Sequence, residues 1–134
     1  MFTPTREEVR RFFSETWQKH RENMLMSAME SMVLDIILAH PEYHAVLEDP
    51  DLAEGFEENP FLHMSLHLAI AEQLSIDQPS GITARYETLL AKTGNRHDAL
   101  HLLMACLEEM LRHARKDNTP PDQAHYFDCL DRLR

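Results

Sequence analysis

The chain has 134 residues, of which 43% are hydrophobic and only three are glycine, and this composition predicts one helix-rich globular domain over residues 1–134. The net charge is −10, and residues 23–84 contain eleven acidic residues but no Lys or Arg, which excludes nucleic acid as a partner because phosphate binding depends on Lys and Arg. The longest apolar run, MVLDIILA, is too short to cross a bilayer, and the amino terminus lacks the apolar stretch of a signal peptide. We therefore expect a cytoplasmic protein without a membrane partner, and a homodimer is compatible with this sequence.

Two capping boxes mark the first helices. A T-x-x-E motif at Thr5 predicts a helix over residues 5–21, and an S-x-x-E motif at Ser27 opens a second helix whose apolar stripe ends at His40. Pro41 disfavours helical geometry at the residue before it, so the second helix is expected to end there. The segment PEYHAVLE is then expected to continue as a short helical piece.

The rest of the chain also shows helical signals. An acidic loop over residues 49–59 precedes the third helix, which Asn59 and Pro60 are suited to open. The predicted helices after this loop run from Pro60 to about Leu74, from Thr83 to Gly94, from Asn95 to about Lys116, and from about Ala124 to the end. No window alternates with a two-residue period, so we predict an all-α fold, an up-down bundle of four long helices with one or two extra short ones.

Histidine is the unusual residue of this chain. Nine are present, where ordinary composition predicts about three. Six of them form three pairs spaced four residues apart, His40 with His44, His63 with His67, and His97 with His101. Residues at this spacing lie one turn apart on the same helix face. Since short connections make successive helices antiparallel, the three pairs are expected at the same end of the bundle.

Convergent imidazoles favour a transition-metal centre. Neutral imidazole suits Zn, Fe, Cu, Ni and Mn, and we expect Fe or Zn here, in a mono- or dinuclear site. The predicted ligands are His63, His67, His97 and His101, assisted by His44, His40, and Glu42 or Glu108. The centre is a candidate for an enzyme or a sensor, and if it is catalytic, an open coordination position would activate water, a thiol or oxygen. Glu108, on the same face as His97 and His101, is then the candidate catalytic base.

Other functions fit the same features. The alternative to a metal centre is a non-catalytic interaction module whose acidic segment docks a basic partner, with the histidines forming a pH-sensitive layer. Metal storage or delivery is a third hypothesis. The remaining histidines, His20, His113 and His125, are expected singly near the surface, and the two cysteines, Cys106 and Cys129, as packed thiols.

Four segments carry a family resemblance: MFTPTREEVRRFF, HPEYHAVL, NPFLHMSLHLAIAEQLSIDQPSGI and RHDALHLLMACLEEML. They resemble the bacterial family catalogued as domain of unknown function 1841, over almost the entire chain. The resemblance implies a cytoplasmic proteobacterial protein and brings no established activity. The arrangement of the histidine pairs is also similar to that of hemerythrins and DinB-like metal bundles, although the chain lacks a clear HxxxE followed by HxxxxD.

Overall fold

The computed structural model describes residues 5–133, and within this range the regular elements are all helices. The α-helices are α1 (Arg6–Arg21), α2 (Ala28–Leu38), α3 (His44–Glu48), α4 (Pro60–Ile76), α5 (Ile82–Thr93), α6 (Arg96–Asp117) and α7 (Gln123–Arg132). Short 3-10 helices, Pro41–Tyr43 and Pro50–Gly55, lie on either side of α3. The all-α class is confirmed, whereas a bundle of four long helices stays a prediction.

None of the described helices combines the length and apolar character needed to span a membrane. The amino-terminal segment considered for a signal peptide begins with residues 1–4, which lie outside the described range, as does residue 134.

Side-chain caps explain where most helices begin. The Thr5 hydroxyl accepts a hydrogen bond from the Glu8 amide at 3.1 Å, and Ser27 forms the complete capping box with Glu30. Asn59 caps α4 in the same way, because its side-chain oxygen accepts from the backbone amide of Phe61 at 2.9 Å. Each cap satisfies an amide that has no partner within its own helix. These three starts agree with the sequence prediction.

The cap of α5 lies outside the predicted helix, which was expected to begin at Thr83. Asp77 is the capping side chain, and its Oδ1 accepts from the amide of Thr83 at 3.0 Å and from that of Gly81 at 3.3 Å. Gly81 has φ +98°, and a Cβ atom there would lie 2.9 Å from the guanidinium of Arg85. The chain turns into α5 through a left-handed residue, which glycine adopts at little cost. The α5 end at Gly94, with φ +69°, agrees with the prediction.

Two compact units divide the chain, one ending at Leu68 and the other beginning at Ala69. In the first unit, α1 packs against α2 and α3. Its buried side chains include Phe13, Val33, Ile37, Val46, Phe61 and Met64. The regular spacing of these residues along their helices explains why they share one core. A single domain over residues 1–134 stays a prediction.

In the second unit, α6 packs against both α5 and α7. Its fully buried side chains include Ile70, Ile82, Leu89, Leu103, Tyr126 and Leu130. Cys106 of α6 and Cys129 of α7 form a disulfide with a Cα to Cα distance of 5.7 Å. The expectation of two packed thiols is therefore wrong, although Cys106 is buried as expected. The two residues are 23 positions apart, and only the packing of α7 on α6 brings them together.

Candidate metal centre

His40 lies two residues after the end of α2 and immediately before the 3-10 helix that begins at Pro41. It is 3% exposed, and its Nδ1 lies 2.7 Å from the carbonyl oxygen of Ile36. A carbonyl oxygen can only accept a hydrogen bond, so Nδ1 is the donor. The neutral ring therefore has its lone pair on Nε2, and the backbone fixes the orientation of the ring. A hydrogen bond of this kind to the distal nitrogen is the usual support of a metal-ligating histidine.

His63 and His67 lie one turn apart on α4 and next to His40. The ring centroids of His63 and His67 are 4.9 Å apart, and that of His40 is 4.6 Å from His67 and 5.1 Å from His63. His67 is 5% exposed. The cap at Asn59 sets the start of α4 and thereby places both histidines in its first two turns. The first unit thus holds three imidazoles in mutual contact.

Tyr43 and Glu58 surround these rings. Tyr43 stacks on His40 with the ring planes 4° from parallel and the centroids 5.3 Å apart, and Glu58 Oε2 lies 3.4 Å from His63 Nδ1. Burial raises the pKa of Tyr43, and the negative charges of Glu42 and Glu58 raise it further. Tyr43 and Glu58 were missed by the sequence prediction. Tyr43 is three residues after His40, and Glu58 is five residues before His63. This closeness in the chain was the signal that could have identified them.

The second unit holds one pair of histidines of its own. His97 and His101 lie on one face of α6, and their ring centroids are 4.1 Å apart. The helix begins at the cap that was predicted, where Asn95 Oδ1 accepts from the amide of Asp98 at 3.1 Å. The pair therefore occupies the first two turns of α6. Both residues are partly exposed.

Four of these histidines offer ring nitrogens that lie close together. One nitrogen of each is within 4.8 Å of the other three, and the four residues are His40, His67, His97 and His101. In a tetrahedral zinc site with ligands about 2.0–2.1 Å from the ion, neighbouring nitrogens are about 3.3 Å apart. The group consists of nitrogen donors alone. Such a group could hold a metal ion.

Four other predicted ligands lie outside this group. His44 donates from Nε2 to the carbonyl oxygen of Ile37 at 2.9 Å. His63 adjoins the group without belonging to it. Glu42 is exposed on the first 3-10 helix, and Glu108 is partly exposed on α6. A metal-binding or catalytic role for these residues stays a prediction.

The histidines expected to be single all have aromatic neighbours. His20 lies against Trp17, with ring centroids 5.6 Å apart, and the ring of His44 lies 4.3 Å from the same indole. His113 and His125 pair with each other across α6 and α7, with centroids 4.7 Å apart. The sequence pattern could not show this pair, because its members lie on different helices. These residues are partly or fully exposed, as the sequence predicted.

The fold and the histidine group define an all-α protein with a candidate metal centre. The chain belongs to the family described as Domain of unknown function (DUF1841), which matches residues 5–132. The family resemblance of the four sequence segments is thereby confirmed. No curated protein and no solved structure matches the chain.

Proposed function

We propose that this protein binds one transition-metal ion through His40, His67, His97 and His101. The observation that supports this proposal is the convergence of four ring nitrogens within 4.8 Å. Packing of a hydrophobic core requires no imidazoles, whereas metal binding requires several that meet at one point. Two of the four are buried, and one has its tautomer fixed by the backbone.

The donor set selects the class of metal. Calcium and magnesium take oxygen ligands, so four imidazoles disfavour both ions. Imidazole nitrogen suits zinc, iron, copper and nickel. Fe or Zn is our proposal for the ion present in the cell, since both are bound by histidine-rich sites of helical proteins.

The identity of the ion decides between a structural and a reactive centre. Four protein ligands complete the tetrahedral shell of zinc, and a closed site of this kind is structural. Iron with more than four coordination positions would keep room for a small molecule, and the site would then serve an enzyme or a sensor. In that case Glu108, seven residues after His101, is the proposed base.

Metal analysis of matched variants tests the proposal. His101→Gln and His113→Gln remove the same side chain from the same helix, but only the first removes a member of the group. Elemental analysis of protein purified without an affinity tag should find about one equivalent of metal in the wild type and in His113→Gln, and less than about a tenth in His101→Gln. Less than about a tenth of an equivalent in the wild type, with no thermal stabilisation on adding Zn or Fe(II), would contradict the proposal. The interaction module, which requires no metal, would then be the better hypothesis.

A further inference from the structure

The residues leading to the buried histidines become less exposed step by step. The side chain of Glu58 is 49% exposed and that of His63 is 13% exposed, while His67 and His40 are 5% and 3% exposed. Adjacent members of this series are in contact. Glu58 Oε2 is 3.4 Å from His63 Nδ1, and the His63 ring meets the rings of His67 and His40 edge to face. A row of potential ligands therefore runs from solvent to the histidine group.

The segment that carries Glu58 is strongly acidic and also packs against Tyr43, beside this row. Phe56 packs on Tyr43 with ring centroids 5.4 Å apart, and Tyr43 stacks on His40. The neighbouring carboxylates, Glu54 and Glu57, are exposed. No Lys or Arg occurs between residues 23 and 84. The negative potential of this surface attracts cations and raises their local concentration.

We propose that Glu58 and His63 form an outer, transient site through which a divalent transition-metal ion reaches the four-histidine group. This inference rests on the proposed metal-binding function. A hydrated ion binds a carboxylate readily because oxygen resembles the water that it replaces. Imidazole then replaces further water, so that the ion loses its hydration shell in steps and not all at once. Glu58 Oε2 and His63 Nδ1, 3.4 Å apart, are close enough for both to contact one ion.

A transfer role differs from that of a resident ligand in its kinetic effect. A lost resident ligand lowers the equilibrium affinity for the ion. A lost transfer site slows loading and leaves the final occupancy nearly unchanged, because the four inner nitrogens remain. His63 lies outside the group of four, which favours the transfer role.

Stopped-flow loading of the metal-free full chain with Co(II) separates these roles. Three variants are compared with the wild type: Glu58→Gln, His63→Gln and Glu57→Gln. Glu57→Gln is the matched control, because it removes the same charge from the adjacent exposed position. We expect the loading rate to fall about tenfold or more in Glu58→Gln and His63→Gln but less than about threefold in Glu57→Gln. The final occupancy should remain one Co(II) in all three variants.

Each other outcome overturns the inference. Equal Co(II) loading rates in Glu58→Gln and Glu57→Gln would show that Glu58 acts only as one negative charge among several. Loss of the bound ion in His63→Gln would make His63 a resident ligand. A Co(II) loading rate in His63→Gln equal to that of the wild type would show that His63 takes no part in the transfer of the ion. Failure of the wild type to bind Co(II) would instead contradict the proposed function itself, so the two failures are distinguishable.

Discussion

The Nδ1 atom of His40 donates a hydrogen bond to the carbonyl oxygen of Ile36, one turn earlier in α2, over 2.7 Å. This bond uses a carbonyl that α2 leaves without an amide partner at its carboxyl end. It therefore satisfies the helix end and orients the ring at the same time. His40, two residues after the end of α2, is thus also the most buried member of the histidine group.

The tautomer of His40 follows from this bond. We expect the neutral ring in the metal-free protein to carry its proton on Nδ1, because the carbonyl oxygen offers no proton of its own. Two-bond proton–nitrogen NMR correlations distinguish the two tautomers. On addition of Zn(II), the Nε2 resonance should shift while Nδ1 stays protonated. A proton on Nε2 in the metal-free protein would contradict the assignment.

The disulfide between Cys106 and Cys129 should contribute substantially to stability. Because it closes a loop of 23 residues, its reduction should lower the free energy of unfolding by about 3 kcal/mol. Urea unfolding with and without a thiol reductant measures this difference. The control is the double variant Cys106→Ala with Cys129→Ala, which should not respond to the reductant. Two free thiols per chain in unreduced, unfolded protein would contradict the disulfide.

Tyr126 is buried and its hydroxyl donates to Gln73 Oε1 at 2.9 Å. Tyr126→Phe should lower the free energy of unfolding by about 1 kcal/mol, the usual contribution of one hydrogen bond. Tyr86→Phe in α5 is the control, and it should change stability by less. Equal effects of the two substitutions would contradict a specific role for the Tyr126 hydroxyl.

The burial of Tyr126 also raises its pKa. Because the folded-state pKa lies above the ordinary value of 10.0, the neutral side chain gives its full stabilisation below pH 10.0. This contribution is lost as the pH rises through the folded-state pKa. Absorbance at 295 nm should therefore show one tyrosine that ionises only as the chain unfolds in alkali. Ionisation of all tyrosines before unfolding would contradict this expectation.

Asp77 caps α5 as a carboxylate. Hydrogen bonds from the backbone amides of Thr83 and then Gly81 lower its pKa below the ordinary value of 3.8. Because the folded pKa is lowered, the stabilisation is present above 3.8 and is lost as the pH falls through the lower, folded value. Asp77→Asn should therefore lower the urea midpoint at pH 7 and have little effect in strong acid. Asp128→Asn, at another exposed position, is the control, and a pH-independent difference for Asp77→Asn would contradict the argument.

The sequence predicted most helix starts, and its spacing put His63 beside His67 and His97 beside His101, because both depend on local spacing. A capping side chain such as Ser27 or Asn95 acts on amides two or three residues away. Spacing of four likewise determines which residues share a helix face. Spacing does not determine which hydrogen bond a ring makes. For this reason the sequence could not distinguish His44, whose ring donates to the carbonyl oxygen of Ile37, from the histidines of the candidate metal centre.

The features that were mispredicted depend on packing between helices. Apolar side chains that face solvent are one example: Met29 and Leu62 are 41% and 53% exposed, since neighbouring positions on their helices face the core instead. The disulfide was missed for a similar reason, because the distance between Cys106 and Cys129 depends on how α7 packs on α6. Glu58 lies outside any helical repeat, so no periodic pattern could relate it to His63.

Crystals of the zinc-loaded protein, measured on both sides of the zinc absorption edge, test the central claim most directly. We expect one anomalous peak about 2.0–2.1 Å from a ring nitrogen of each of His40, His67, His97 and His101. A zinc-loaded crystal with no peak at these residues, or with a peak bound by fewer than three of them, would contradict the account.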